Sequence, residues 1–150
     1  MALDHRTISY HEAGHATCRV ALGLPFSRVV LIGEVAPGKP AGSVLDCRQP
    51  GELREDADRE AREAVSIAAG PLAQAALVRV PVQHVLEALG GHEDAAEAWR
   101  AAQAAQIPWN ATWELAARFV TGSWTWIENV AADLQELRAL TPAEVAALRG

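Results

Sequence analysis

The sequence predicts a single α+β domain over residues 1–150, predominantly α-helical, with a small β-sheet beside its first helix. Three observations predict it. Runs with apolar residues at helical spacing fill most of the chain, and glycine or proline closes nearly every one. Only two short stretches, 28–32 and 42–47, are β-rich and bounded by turn residues. Half of the 150 residues are apolar, enough to bury one core without staples.

The first helix is expected from its N-cap Asp4 to Leu22, with Gly23 and Pro25 preventing its continuation. Ile8, His11, His15, Cys18 and Leu22 fall on one face of it, which should point into the fold and carry both histidines inward. Gly14 costs that helix about 1 kcal/mol against alanine, so it is expected to admit another backbone. Arg28–Ile32 and Gly42–Cys47 read as two strands joined by the turn-rich stretch Gly33–Pro40. Pro50-Gly51 opens a second helix, Glu52 to Val78, with Glu52, Glu55, Asp56 and Asp58 in its first turns, where the helix dipole favours acids. Its stripe of Ala57, Ala61, Ala64, Ala68, Leu72 and Ala75 suits close packing on the first helix, and Gly70-Pro71 predicts a kink or break.

Residues 81–89 read as a short helical turn ended by Gly90-Gly91. His92-Glu93-Asp94 then opens an alanine-rich helix to Gln106 that carries Trp99. Trp109, Trp113, Ala116 and Val120 mark another helix, interrupted at Gly122, and Ser123 is the expected N-cap of a helix through Leu140. Thr141-Pro142-Ala143-Glu144 is a capping box that opens a last helix to Arg149. The five tryptophans are expected mainly in the core. Trp124 and Trp126, two apart on one helix, cannot face the same way, so one is expected at the surface, marking these C-terminal helices as a place for a second copy or another partner.

A net charge of −6, a single lysine (Lys39) and scattered arginines exclude nucleic acid and anionic membrane as partners. The first residues lack the basic start and apolar core of a secretory signal, and the greasiest region, 64–82, is broken by Gly70, Pro71, Gln74, Arg79 and Pro81. A cytoplasmic protein without a membrane span is expected, with Cys18 and Cys47 as two buried thiols.

The chemistry concentrates in His11-Glu12-Ala13-Gly14-His15. Residues four apart on a helix project side by side, so two imidazoles are offered to one Zn²⁺, and Glu12 stands next to it, able to take a proton from water that the cation has made more acidic. The competing reading is a pair of buried histidines satisfied by hydrogen bonds, with Glu12 solvated. Two histidines at i and i+4 with a glutamate between them favour the metal. Cys18, a turn further on, reads as core, since three ligands in a row on one straight helix cannot converge on a tetrahedral ion.

A third protein ligand is required. A downstream H-x-x-G-x-x-H continuation is excluded, because positions 18 and 21 are Cys18 and Ala21. Glu34, in a Gly/Pro turn, is disfavoured, which leaves His84, His92, Glu93, Asp94 and Glu97.

The succession His11-Glu12-Ala13-Gly14-His15-Ala16, Ala69-Gly70-Pro71-Leu72-Ala73-Gln74, Gly90-Gly91-His92-Glu93-Asp94 and Leu140-Thr141-Pro142-Ala143-Glu144-Val145 resembles the peptidase domain of the FtsH-type ATP-dependent zinc proteases over roughly residues 8–148. That family carries H-E-A-G-H-A, A-G-R-A-A-E, G-A-x-N-D-L and L-T-x-x-E-[IV] in this order. The resemblance implies a zincin-like metallopeptidase fold, Asp94 as the third zinc ligand beside His11 and His15, and Glu12 as general base. The sequence departs from the family at Pro71 and Gln74, where the family has arginine and glutamate, and at Glu93, where it has asparagine. No G-x-x-x-x-G-K-[ST] loop occurs in the sequence, so ATP-independent cleavage of peptides or unfolded protein segments is expected. Zinc peptidases commonly hold such a substrate as an added strand on a sheet edge beside the metal, and either expected strand is a candidate. The rival is a non-catalytic binding or regulatory protein that keeps the fold and its zinc.

Overall fold

A computed structural model describes residues 4–31, 42–47, 57–88 and 92–150. Ile32, the turn with Glu34 and Lys39, the first turns expected of the second helix (Glu52, Glu55, Asp56), Gly90-Gly91 and the side chain of His92 lie outside the described residues. The chain forms α1 (His5–Ala21), β1 (Arg28–Leu31), β2 (Gly42–Leu45), α2 (Ala57–Val78), α3 (Val82–Ala88), α4 (His92–Ala105), α5 (Trp109–Gly122), α6 (Trp124–Leu137), β3 (Ala139–Leu140) and α7 (Pro142–Ala147). The architecture is mostly helical, with a three-stranded antiparallel sheet in the order β2-β1-β3.

α1 is the centre of the packing, with α2, α6, α7, β1 and β2 around it. Asp4 caps it as expected, its side chain accepting from the Thr7 N–H at 2.7 Å. At the other end the Arg62 guanidinium donates to the Leu22 carbonyl at 2.8 Å, closing one of the acceptors a helix C-terminus leaves open. α1 and α2 run antiparallel: His11 meets Gln74, His15 meets Ser66, and Arg19 meets Glu63. They lie close because Gly14 has no side chain; a Cβ there would sit 2.6 Å from the Ala69 carbonyl oxygen and 2.8 Å from the Ala73 methyl. The buried Arg19–Glu63 pair, at 2.6 Å, ties the two helices further along.

Four expectations are corrected. Of the kink or break expected at Gly70-Pro71, the break does not occur: α2 continues as one helix through Pro71. The proline forfeits one backbone hydrogen bond, but α2 is packed against α1, α3, α4 and α5, and that burial outweighs a local cost of roughly 3 kcal/mol. The alanine stripe begins further on, with Ala57 exposed and Ala64 and Ala68 fully buried. α6 ends at Leu137 instead of Leu140, because Arg138 turns into the left-handed region (φ 69°) and Ala139–Leu140 pairs with β1, burying Leu140. Ser123 precedes α6, yet its side chain makes no capping bond. The Thr141 capping box is present, with Glu144 Oε1 accepting from the Thr141 N–H at 2.9 Å.

The tryptophans are distributed differently from the expectation. Trp126 is buried, its indole N–H donating to the Val145 carbonyl at 2.8 Å, while Trp124 is half-buried against Tyr10. The exposed one is Trp99 on α4, the outer member of an edge-to-face chain through Trp109 to Trp113. Cys18 is buried and Cys47 half-buried; both are free, and burial pushes their thiols up to about 12 and about 11. Among the described residues, no helix is long and apolar enough to cross a membrane.

Candidate metal centre

Two helices hold the centre's donors and a third orients them. From α1, His11 and His15 bring their Nε2 atoms to 3.1 Å from one another, one turn apart as their spacing requires. From the first turn of α4, Asp94 brings Oδ2 to 2.8 Å from His11 Nε2 and 3.5 Å from His15 Nε2. α4 reaches this position by burying Ala98, Ala101, Ala102 and Ala105, with α2 as its main packing partner. Among the described residues, these three are the ones whose ligand atoms lie close enough together to share a metal ion.

α2 orients the imidazoles. His15 Nδ1 donates to the Ser66 carbonyl at 2.9 Å, and His11 Nδ1 donates to Gln74 Oε1 at 2.7 Å. With each Nδ1 engaged as a donor, both Nε2 lone pairs are directed at the shared point, an arrangement typical of metal-binding histidines. Gln74 thus supplies the acceptor oxygen that His11 needs. Gly70 leaves room for the His15 ring, whose Cε1, Nε2 and Cδ2 atoms occupy the space a Cβ would take.

The donor set fits zinc. Metal–ligand bonds of about 2.0–2.1 Å in a tetrahedron separate donor atoms by roughly 3.3 Å. The three observed separations, 2.8, 3.1 and 3.5 Å, bracket that value without any rearrangement of helices. Among the described residues, the group offers two imidazoles and one carboxylate, three donors to one ion.

Electrostatics couples the group tightly. Burial disfavours a charged His15, but the Asp94 charge and hydrogen bond, the Glu12 charge and the Ser66 carbonyl outweigh it and raise His15 to about 9. Burial pushes Asp94 up, yet the two histidines hold it far below the usual carboxylate range. Glu12 is buried at 8% exposure, not solvated, and burial raises its pKa against the pull of His11 and His15. Its Cγ lies beside β2, where a Cβ on Gly42 would stand 2.7 Å from it.

The remaining candidates for the third ligand lie elsewhere. Glu93 and His84 are exposed, Glu97 is half-buried one turn beyond Asp94, and neither Glu34 nor the His92 side chain is among the described residues. Sequence reasoning missed Ser66, Gln74, Gly70 and Gly42 as supports of the centre. Ser66, Gly70 and Gln74 carried a signal, a four-residue spacing on α2 that matches the spacing of His11 and His15 on α1, whereas Gly42, on β2, carried none.

No protein-family model matches the chain, and no curated protein matches it in sequence.

Proposed function

We propose that the protein is a zinc-dependent metallopeptidase with a zincin-like fold, similar to the peptidase domain of FtsH-type proteases, that hydrolyses peptides or unfolded protein segments. One observation carries this reading: Asp94, 79 and 83 residues beyond His15 and His11, meets them at separations that suit zinc ligands, with a buried glutamate between the two histidines in sequence.

In this reading His11, His15 and Asp94 hold Zn²⁺, which supplies Lewis acidity that makes water more acidic and polarises a carbonyl. Glu12 acts as the general base: burial raises its proton affinity above that of a free carboxylate, so it can accept a proton and later deliver it to the leaving amine. Gln74 and Ser66 keep the two imidazoles in the tautomer that presents Nε2. The substrate would lie along β2. Among the described residues β1 is paired on both sides, whereas β2 is paired on one side only, and it is β2 that packs beside Glu12 through Gly42. Of the two strands, β2 is therefore the one that can accept an extended peptide next to the centre.

The test pairs zinc content with cleavage of a permanently unfolded protein by the wild type and by Glu12→Gln. The reading expects one zinc per chain in both and cleavage in the wild type alone. A folded, zinc-loaded wild type that leaves every unfolded substrate intact would instead favour a binding or regulatory role.

A further inference from the structure

Glu12 is buried, yet among the described residues neither a hydrogen bond nor an ion pair holds its carboxylate. Packing of its stem holds it instead. Ile8 and Glu12, four apart on α1, stand side by side on one face of the helix, and the backbone of β2 lies against both at Gly42. A Cβ on Gly42 would stand 2.7 Å from Glu12 Cγ, 3.0 Å from the Val30 carbonyl oxygen and 3.2 Å from Ile8 Cγ2. Backbone torsion does not ask for glycine here, since the described glycines with positive φ are Gly23 and Gly150. A glycine inside a strand weakens it, and what it offers in return is close approach to the backbone. The group that approaches is the stem of Glu12.

Carbon atoms pack at about 3.5–4.0 Å, so a methyl group at position 42 would have to displace Glu12 Cγ by roughly 1 Å. The methyl itself has no retreat. Val30 belongs to β1, which pairs with β2 in the register Leu31 to Gly42, and Ile8 closes the other side. The Glu12 carboxylate would move with its stem, whereas the three atoms nearest that Cβ include none from His11, His15 or Asp94. A misplacement of about 1 Å in a reacting group is enough to cost roughly 100-fold in rate. We propose that Gly42 is a positioning residue: by presenting bare backbone to the stem of Glu12, it sets where the Glu12 carboxylate stands beside His11, His15 and Asp94. The catalytic part of this proposal rests on the peptidase reading, but the seating of Glu12 does not.

Stability is measured first, as a double-mutant cycle of Gly42→Ala with Glu12→Ala, a change that removes Cγ and keeps the backbone. Gly42→Ala should lower the melting temperature of the wild-type chain by about 5 °C, and by less than half as much in the Glu12→Ala background. An equal loss in both backgrounds overturns the proposal. Should Gly42→Ala fail to fold, folding regained with Glu12→Ala supports the seating, and failure of the double variant refutes it. Cleavage of an unfolded protein is measured next, well below the melting temperatures. Gly42→Ala should lower kcat by about 100-fold, with KM within about threefold and zinc still at one per chain. Val145→Ala, a truncation in the buried core beside Trp126, is the control for lost stability and should keep kcat within about twofold. A loss of kcat no greater in Gly42→Ala than in Val145→Ala refutes the positioning role and leaves the peptidase. A wild type that cleaves nothing refutes the peptidase and with it the catalytic part, and the cycle then decides the seating of Glu12 by itself.

Discussion

Gly70 lies against the imidazole of His15 so closely that a single methyl group at position 70 would occupy the ring's own space. The contact joins a residue type on α2 to the orientation of a donor on α1, and both helices are too firmly packed to move apart. Gly70→Ala should therefore turn the His15 ring off its axis and lower zinc affinity by about 10-fold or more, with helical content preserved. Gly122→Ala is the control, since nothing lies within 4 Å of a Cβ there. Zinc titration of the two variants checks the contrast, and wild-type affinity in Gly70→Ala would contradict it.

Gln74 holds its side-chain oxygen against His11 Nδ1 at 2.7 Å. Gln74→Leu removes that acceptor and frees the ring to rotate or change tautomer, so zinc affinity should fall by roughly 10- to 100-fold. Gln74→Glu retains an oxygen at the same place and should bind zinc at least as well as the wild type. Competition against a chelator of known affinity measures both, and equal affinity for Leu and Gln would remove Gln74 from the centre.

The metal-free protein should be pH-sensitive in a defined window. His15 is raised from an ordinary 6.5 to about 9, so the stability its protonation contributes is fully present below pH 6.5 and is lost as pH rises through 9. The loss is on the order of a few kcal/mol. Asp94 is shifted downward, so its contribution is lost only on acidification, outside this window. Melting temperatures of chelator-treated protein should fall between pH 6.5 and 9.5, and His15→Ala should flatten the slope. Parallel slopes in the two proteins would contradict the assignment.

Arg19 and Glu63 pair at 2.6 Å with both side chains almost wholly buried. Glu63→Gln leaves a buried guanidinium without its counter-charge and should cost about 3–5 kcal/mol in urea denaturation. The double change Arg19→Met with Glu63→Leu should cost clearly less, because it removes both charges together. A double variant as unstable as the single one would show that shape, not charge, dominates at this contact.

What could be read from the sequence was what is local. Asp4, the Thr141 capping box and the glycines and prolines around α1 act on their own neighbours, so the structure agrees with them. β3 could not be read, since Leu137-Arg138-Ala139-Leu140 suits a helix and becomes a strand only because β1 offers an edge. Pro71 misled for the same kind of reason: burial by neighbouring helices overrides a local break signal. In the centre, His11 and His15 were legible from their spacing, whereas Asp94 came from the family pattern. Gln74 and Ser66 face the histidines only once α1 and α2 are known to be antiparallel, and no single stretch of sequence contains that fact.

The convergence of Asp94 on the two histidines is tested most directly by zinc-binding calorimetry of the wild type against Asp94→Asn. The account predicts one zinc per wild-type chain and an affinity lower by 100-fold or more in the variant, roughly 3 kcal/mol, with the metal-free fold intact. Stoichiometric zinc bound equally tightly by Asp94→Asn would contradict it.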